Sequence, residues 1–237
     1  MALAEALAEA GYAIIETILS EDLVAILRDE ISRLALPSSR TGGIRNAAEK
    51  SSILRDFASG GPPALLARSV LGSAARPVKV TVFDKTPGAN WKVPWHQDLT
   101  IAVRERRETE GFGPWTVKDG VPHVQPPVEI LAGMLAVRVH LDETSAENGA
   151  LRVIPGSHRL GRLSQDEVSR LRDEVDEVIC AIPEGGALLM RPLLLHASPA
   201  ALRAGHRRVI HIEYSASELP FGLAWVVVQS PAGRQRQ

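Results

Sequence analysis

Residues 78–83, VKVTVF, mark the point where the chain changes from helical to strand-like patterning. Short runs of the same β-rich kind recur later, and Gly, Pro, Asn and Asp separate them. These runs are residues 134–141, 151–154, 187–189 and 209–214. Because they do not alternate with helices in a βαβ order, they predict an antiparallel sandwich or a small barrel.

The chain before residue 78 has helical character. Ser20 is placed to cap a helix whose first turn is acidic, and a second helix is expected at residues 47–57. A third helix is expected to begin at Pro62 and to end at Gly72. These helices require a partner surface, which the later strands can provide.

The composition fits a single domain without a nucleic-acid partner. The 237 residues, 45% of them hydrophobic, can bury one large core. We therefore predict one domain over residues 1–237, with a helical part at 1–77 and a β core at 78–230 that carries a loop insertion at 104–127. A net charge of -1 gives no positive field for a phosphate backbone, so the expected partner is a small-molecule substrate.

Targeting and redox signals point to a cytoplasmic protein. The start, MALAEALAEAGYAII, has glutamates where a signal peptide has basic residues, and the apolar runs are too short to span a bilayer. No membrane partner is expected. The single cysteine, Cys180, lies among apolar neighbours and is expected to be a buried structural thiol.

The insertion at residues 104–127 reads RERRETEGFGPWTVKDGVPHVQPP and is charged at first, then rich in Gly and Pro. Loops of this length within a compact domain are usually functional or disordered. We expect it to act as a lid, with Phe112 and Trp115 as its best candidates for touching substrate.

The stretch WKVPWHQDLT, which precedes the insertion, contains a possible half of a metal site. In a strand, residues i and i+2 point to one side, so His96 and Asp98 can face the same interior. A ferrous site with open positions needs two imidazoles and one carboxylate, and a second histidine is therefore required. His196, at the end of the apolar run LLLHASP, suits that position, although spacing alone does not place it above the other five histidines.

Several elements in one order carry a family resemblance. They are His96-Gln-Asp98, the block ENGALRVIPGSH at 147–158, His196-Ala-Ser198 and the pair Arg207-Arg208. Over residues 78–214 this pattern resembles the phytanoyl-CoA dioxygenase family of iron(II)- and 2-oxoglutarate-dependent oxygenases. The resemblance implies a mainly β fold with N-terminal helices, in which a double-stranded β-helix (jelly-roll, cupin-like) core is flanked by α-helices. It also implies that His96, Asp98 and His196 form a facial iron triad.

The resemblance further implies how the cosubstrate is bound. Arg207 resembles the partner of the distal carboxylate of 2-oxoglutarate, Ser198 a second donor to it, and Gln97 a residue beside the cosubstrate. Strand alternation leaves Arg208 as an alternative to Arg207. Arg138, which stands where the family often has an aromatic or aliphatic residue, is counted among the cosubstrate-binding residues, with an anionic substrate as its other possible partner.

The function implied is oxidation of a small molecule with O2, coupled to conversion of 2-oxoglutarate into succinate and CO2 and usually ending in hydroxylation. The presence of Asp98 favours oxidation over halogen transfer. The alternatives are a cupin-like barrel that binds a metal or small ligand without turnover, and a metal-dependent isomerase or cofactor-free cupin enzyme. The sequence leaves the substrate and the oligomeric state open.

Overall fold

The computed structural model describes residues 3–34, 43–86, 88–202 and 205–226. The expected end of the β core, at residue 230, lies outside these ranges. Seven α-helices occur in the described part: α1 Leu3–Glu9, α2 Glu21–Arg33, α3 Ala47–Lys50, α4 Ser52–Gly60, α5 Pro62–Leu71, α6 Val128–Ala132 and α7 Gln165–Glu174. Two 3-10 turns, Ala146–Asn148 and Ser157–Leu160, lie between the later strands.

The predicted N-terminal helices are present, with one correction. The Ser20 hydroxyl accepts a hydrogen bond from the Leu23 amide and caps α2, and α5 begins at Pro62 and ends before Gly72. The single helix expected at 47–57 is wrong, because the chain turns extended at Ser51 and splits it into α3 and α4. The Ser51 hydroxyl accepts from the amide of Leu54, 3.1 Å away, so its side chain caps α4 instead of continuing α3.

Twelve strands form three antiparallel sheets in the described residues. The strands are β1 Tyr12–Ile15, β2 Arg76–Lys85, β3 Val93–His96, β4 Ile101–Ala102, β5 Trp115–Lys118, β6 Val121–Val124, β7 Met134–His140, β8 Leu151–Val153, β9 Val178–Cys180, β10 Ala187–Met190, β11 His196–Ser198 and β12 Arg207–Ser215. A large sheet has the order β1-β10-β7-β12-β2, and a small sheet has the order β3-β11-β8-β9. The third sheet has the order β4-β6-β5.

The helices cover the outer face of the large sheet. Alternate residues of β12, namely Ile210, Ile212 and Tyr214, are fully buried in one cluster with residues of α2, α4 and α5. The Tyr214 hydroxyl donates to the carbonyl of Ala58 on α4 at 2.8 Å, which fixes the helix against the strand. Because strand residues alternate in direction, the other residues of β12 are free to face the small sheet.

The insertion at 104–127 is partly strand, so the prediction of a plain loop is wrong in its second half. β5 and β6 form a hairpin whose turn, Asp119-Gly120, has positive φ at both residues. An Asp-Gly pair between strand-like residues is a strong hairpin signal, and it was available in the sequence. Phe112, 7% exposed, belongs to a hydrophobic cluster with Val103 and Trp225 and does not line the cavity beside the metal group.

The helices of the described residues are all too short or too polar to cross a membrane. Cys180 is buried, and burial raises the pKa of its thiol to about 12. Such a thiol is not a nucleophile at neutral pH, which agrees with the structural role expected for it.

Candidate metal centre

His96 and His196 meet where the small sheet pairs its first two strands. His96 ends β3, His196 begins β11, and the two residues are direct partners in the antiparallel ladder. Their ring centroids lie 4.2 Å apart. β3 ends at His96, so Asp98 lies in the segment after the strand. The Asp98 carboxylate nevertheless lies beside both imidazole rings.

The three side chains form a compact group of donor atoms. Asp98 Oδ1 lies 3.7 Å from His96 Nε2, and Asp98 Oδ2 lies 3.8 Å from His196 Nε2. One donor atom from each residue falls within 4.8 Å of the other two, and this is the only His, Cys, Asp or Glu group of its kind in the described ranges. The structure therefore brings together the three residues that the sequence singled out, and they could hold a metal ion.

Backbone hydrogen bonds orient both rings for metal binding. His96 Nδ1 donates to the carbonyl of Pro94 at 2.9 Å, and His196 Nδ1 donates to the carbonyl of Leu194 at 2.8 Å. When Nδ1 carries the proton, the neutral ring presents its lone pair at Nε2, the atom that faces Asp98. No rearrangement of tautomer is then needed for a metal to bind.

Electrostatics hold His196 and Asp98 in the protonation states that a metal requires. Burial lowers the pKa of His196 to about 4, against the opposing effect of Asp98, so its imidazole is neutral at pH 7. Burial alone would raise the pKa of Asp98, but the neighbouring His196, His211 and His96 hold it well below its usual range. Asp98 is therefore an anion and His196 a neutral donor under physiological conditions.

A cavity of about 210 Å³ lies beside this group, between the large and the small sheet. Its floor is formed by rows of paired residues from β2, β12 and β7. Each row is named after its β12 residue and contains the residues paired with it across the sheet. The Arg207 row contains Lys85, the His211 row contains Thr81 and Arg138, and the Glu213 row contains Lys79. Residues i and i+2 of a strand are about 7 Å apart, so the Arg207 and Glu213 rows occupy opposite ends of the floor.

The Arg207 end of the cavity is a cationic pocket. Lys85 Nζ donates to Ser198 Oγ at 2.9 Å, and Ser198 Oγ donates to the carbonyl of Gly149 at 2.9 Å. Arg207 donates to the same Gly149 carbonyl and lies 3.5 Å from Ser198 Oγ. Neither Lys85 nor Arg207 has a carboxylate partner in the ranges that the structure describes.

Burial and the crowding of cations lower two pKa values in this pocket. Burial, then Arg207 and Arg138, lower the pKa of Lys85 to about 7. Burial and Arg138 lower the pKa of Arg207 to about 10. A bound anion would relieve both penalties, so the pocket is suited to a carboxylate.

Lys85 is a candidate functional residue that the sequence reading missed. The available signal was its spacing, because Lys85 follows Thr81 and Phe83 at intervals of two along β2. Residues at that spacing share one face of a strand. Thr81 and Phe83 line the cavity, and Lys85, on the same face of β2, is connected to it by the hydrogen bond to Ser198.

The choice between the two neighbouring arginines has a clear geometric outcome. Arg207 lies on the cavity side of β12, whereas Arg208 lies on the opposite side. The Nε and Nη2 atoms of Arg208 donate to the two carboxylate oxygens of Asp142 at 2.9 and 2.7 Å, and its amide donates to the same group. Arg208 is thus fully engaged in a structural ion pair.

Gln97 does not lie in the cavity, contrary to the expectation that it stands beside the cosubstrate. Its Nε2 donates to the carbonyls of Leu193 and Gly161 at 2.6 and 2.8 Å, and its Oε1 accepts from the amide of Leu163 at 2.8 Å. The Gln97 side chain points away from His96 and Asp98, and its amide makes all of these hydrogen bonds with backbone atoms. Its position indicates that it braces the segment carrying His96 and Asp98.

The remaining histidines lie apart from the metal group, with one exception. Among them, His140 bonds Thr144, His206 bonds Asp84 and His123 bonds its own strand through the carbonyl of Val121. His211 lines the cavity and bonds Arg138. Trp115, like Phe112, is not part of the cavity wall, so neither expected aromatic contact to substrate is supported.

The fold and the site geometry agree with comparison to known proteins. A family model described as Phytanoyl-CoA dioxygenase (PhyH) matches residues 7–209. The chain belongs to the phytanoyl-CoA dioxygenase family. No curated protein sequence matches it. The membership confirms the resemblance carried by the histidine, glycine and arginine motifs.

Several solved structures share the fold of this phytanoyl-CoA dioxygenase family member. AviO1 from Streptomyces viridochromogenes Tue57 is 22% identical, with a TM-score of 0.65 over 90% of this chain and 93% of that chain. The α-ketoglutarate-dependent epimerase SnoN from nogalamycin biosynthesis is 19% identical, with a TM-score of 0.69 over 99% and 90%. EctD from S. alaskensis, solved with 2-oxoglutarate and 5-hydroxyectoine, is 21% identical, with a TM-score of 0.67 over 90% and 74%.

The likeness to these structures confirms the predicted fold class, a double-stranded β-helix of the cupin-like type with flanking helices. Family membership and the His-Asp-His group together support an iron- and 2-oxoglutarate-dependent oxygenase.

Proposed function

We propose that this protein is an iron(II)- and 2-oxoglutarate-dependent dioxygenase that hydroxylates a small molecule and releases succinate and CO2. The observation that carries the proposal is the pairing of two sites in one cavity. A His-Asp-His group with both Nε2 atoms free lies next to a buried cationic pocket that has no carboxylate of its own in the described residues.

The donor set fits ferrous iron. Two neutral imidazoles and one carboxylate are the ligands of the facial triad in non-heme iron oxygenases, which leaves further coordination positions for a cosubstrate and O2. His96, Asp98 and His196 would hold the metal, and the backbone bonds to their Nδ1 atoms keep the two rings aimed. Iron bound there supplies the activation of O2 that couples oxidation of 2-oxoglutarate to oxidation of the substrate.

The pocket residues would bind the distal carboxylate of 2-oxoglutarate. Arg207 offers a planar fork with two parallel donors, Lys85 offers a buried ammonium, and Ser198 offers a hydroxyl between them. The side chains of Phe83 and Leu151 line the same cavity and provide apolar surface for the carbon chain. In this assignment Arg207, and not Arg208, is the cosubstrate arginine.

The rest of the chain would protect and orient the reactants. The cavity lies between two sheets and opens beside the metal group, so a bound substrate would itself displace water from the metal. Hydroxylation is the outcome we propose. The neighbouring fold of SnoN is described as an epimerase, so product identity must be measured directly.

The test is an anaerobic titration of the purified protein with ferrous iron and then 2-oxoglutarate, with the visible metal-to-ligand charge-transfer band as the readout. We expect a band in the wild type and none in the His196→Ala variant. If iron binds a folded wild-type protein and 2-oxoglutarate then produces no band, the proposal fails and a cupin-like binding protein becomes the better account. Succinate release with a panel of small molecules then identifies substrates and separates turnover from binding alone.

A further inference from the structure

We propose that Arg138 binds an oxyanion beside the metal group, and that the substrate therefore carries a carboxylate or a similar anionic group. The inference rests on the proposed function, because it assigns the substrate side of the same cavity. It concerns a residue that the cosubstrate pocket does not require.

Arg138 is buried in the wall of the cavity. It lies in the middle of β7, is 9% exposed and belongs to the His211 row. Its guanidinium carbon lies 5.6 Å from the ring centroid of Phe83. The His211 row is separated from the Arg207 row by four residues of β12, a distance of about 13 Å along the strand. The backbones of the two arginines are therefore well separated on the cavity floor, although the charge of Arg138 still acts on Lys85 and Arg207.

The guanidinium of Arg138 has no carboxylate partner in the ranges that the structure describes. The two acidic residues of the cavity wall have other partners. Lys79 Nζ lies 2.6 Å from Glu213 Oε1, and Asp98 belongs to the metal group. An arginine keeps its charge in proteins, and a buried charge without a counter-ion is costly. A ligand anion would supply the missing partner.

The free edge of Arg138 is the one that recognises carboxylates. Its Nη1 is 3.0 Å from His211 Nδ1, whereas Nε is buried without a hydrogen bond and Nη2 has none within the described residues. The same Nε and Nη2 edge of Arg208 carries the two parallel bonds to Asp142 in this protein. Arg138 thus presents the side-on fork that elsewhere in the chain already holds a carboxylate.

His211 and Glu213 fix the orientation of that fork. Because Arg138 Nη1 donates to His211 Nδ1, the ring proton of the neutral imidazole lies on Nε2, which faces Glu213 Oε1 at 3.4 Å. Glu213 is in turn held by Lys79. The hydrogen-bonded series from Lys79 through Glu213 and His211 to Arg138 contains two cations and one anion. Asp98 also acts on Arg138 electrostatically, but its charge belongs to the metal group, so the series leaves one positive charge for a ligand.

Two anions could meet this charge: a carboxylate of 2-oxoglutarate or a group of the substrate. The distal carboxylate has its own pocket at Arg207, Lys85 and Ser198, and the carboxylate next to the keto group is expected to take part in binding the metal. We therefore assign the Arg138 fork to the substrate. The assignment also argues against a substrate whose only charge at this position is an ammonium group.

The experiment uses matched neutral and anionic probes on the whole protein. The probes are benzoate, cyclohexanecarboxylate and 4-methylpentanoate, each beside its primary amide. Calorimetry measures their dissociation constants in the metal-free protein and in the anaerobic complex with ferrous iron and 2-oxoglutarate, where the charge-transfer band provides a second readout. The variants are Arg138→Met, which keeps the length of the side chain, Arg138→Lys, which keeps the charge, and Arg152→Gln as a control arginine on the other side of the small sheet.

We expect the wild type and the Arg152→Gln variant to bind at least one carboxylate about tenfold more tightly than its amide. The preference should disappear in Arg138→Met and be reduced in Arg138→Lys, while the dissociation constant of 2-oxoglutarate changes less than about threefold. Circular dichroism and a melting curve show whether each variant is folded. Because Arg138 has no ion pair to break within the described residues, we expect Arg138→Met to fold.

Three outcomes would overturn the inference. One is the absence of any carboxylate preference in the wild type. Another is a preference that survives unchanged in Arg138→Met. The third is a tenfold or larger loss of 2-oxoglutarate affinity in Arg138→Met, which would make Arg138 a cosubstrate residue. Failure of the proposed function is read separately, as the lack of 2-oxoglutarate binding in the wild type before any probe is added.

Discussion

Two adjacent arginines with opposite environments give the sharpest test at the level of single residues. For Arg207→Ala we expect the dissociation constant of 2-oxoglutarate to rise at least about tenfold, because a fork to a carboxylate is lost. Binding of ferrous iron should be unchanged, since Arg207 is not part of the His-Asp-His group. Calorimetry of both ligands measures the two effects.

Arg208→Ala is the matched control. It removes two side-chain bonds to Asp142 without touching the cavity, so we expect a loss of about 2–3 kcal/mol in the free energy of unfolding and unchanged 2-oxoglutarate affinity. Urea denaturation provides the stability. A loss of cosubstrate binding in Arg208→Ala, with Arg207→Ala unaffected, would reverse the assignment of the two residues.

Lys85 should make cosubstrate binding depend on pH. Burial and the nearby Arg207 lower its pKa to about 7, so the ammonium is charged below that pH and loses its proton above it. A bound carboxylate favours the charged form and raises this pKa. Binding above pH 7 must therefore take up a proton, and 2-oxoglutarate affinity should fall as the pH rises from 7 to 9.

The measurement is calorimetry at several pH values in buffers of different ionisation enthalpy. In Lys85→Met the affinity should be weaker at pH 6.5 and nearly independent of pH over the same window. Proton uptake of equal size in wild type and variant would show that another group titrates.

The metal residues were predictable from the sequence, whereas the side-chain directions around them were not. His96, Asp98 and His196 could be chosen because several motifs occurred in a fixed order. Gln97 could not be placed, because its direction depends on backbone carbonyls at Leu193 and Gly161 that are distant in sequence. Lys85 gains its role only from the pairing of β2 with β12.

At the level of elements, the turn at Gly149 couples the Asn148-Gly149 motif to the cationic pocket. Gly149 has φ +82, and a Cβ added there would lie 2.7 Å from the Pro199 carbonyl and 3.2 Å from Lys85 Nζ. We expect Gly149→Ala to lower the melting temperature and to weaken 2-oxoglutarate binding, because both the backbone and the Lys85 ammonium must move.

Gly60→Ala is the control for this substitution. Gly60 ends α4 with open space around its Cα, so alanine there should leave cosubstrate binding unchanged and be neutral or stabilising by up to about 1 kcal/mol. Thermal melting and calorimetry on both variants separate the two cases. Unaltered binding in Gly149→Ala would show that the pocket does not depend on this turn.

Element boundaries were predicted where a local signal was decisive. The Ser20 cap and the proline at the start of α5 placed two helices correctly. The break at Ser51 was missed because apolar periodicity continues across it, although a serine there can cap either helix. The β5–β6 hairpin was missed because charge and glycine content outweighed the Asp-Gly turn signal in the reading of residues 104–127.

For the whole molecule, ligand binding should add to stability. The three metal ligands come from β3, from the segment after it and from β11, so an ion joins parts of the chain that are distant in sequence. Anything that binds only the folded state raises its stability by mass action, by about 2.7 kcal/mol at a hundredfold excess over the dissociation constant.

We therefore expect the melting temperature to rise with ferrous iron under argon, and to rise again with 2-oxoglutarate. Neither increase should occur in His196→Ala. If the variant shows the same increases as the wild type, the ions bind elsewhere and the assignment of the metal centre is wrong. The expected cytoplasmic location and the 1–237 single-domain assignment stay predictions.

The alternation along β12 has a consequence for how this scaffold can change. One face of the strand bonds and packs against the helical layer through Ile210, Ile212 and Tyr214, while the other presents His211 and Glu213 to the cavity. Residues that stabilise the fold and residues that face the ligand cavity therefore alternate along β12. A combinatorial library at residue 211, with the buried Lys79–Glu213 pair kept, should yield mostly folded proteins with altered ligand preference. A one-residue deletion within the strand would instead exchange the two sets of positions and destroy both functions.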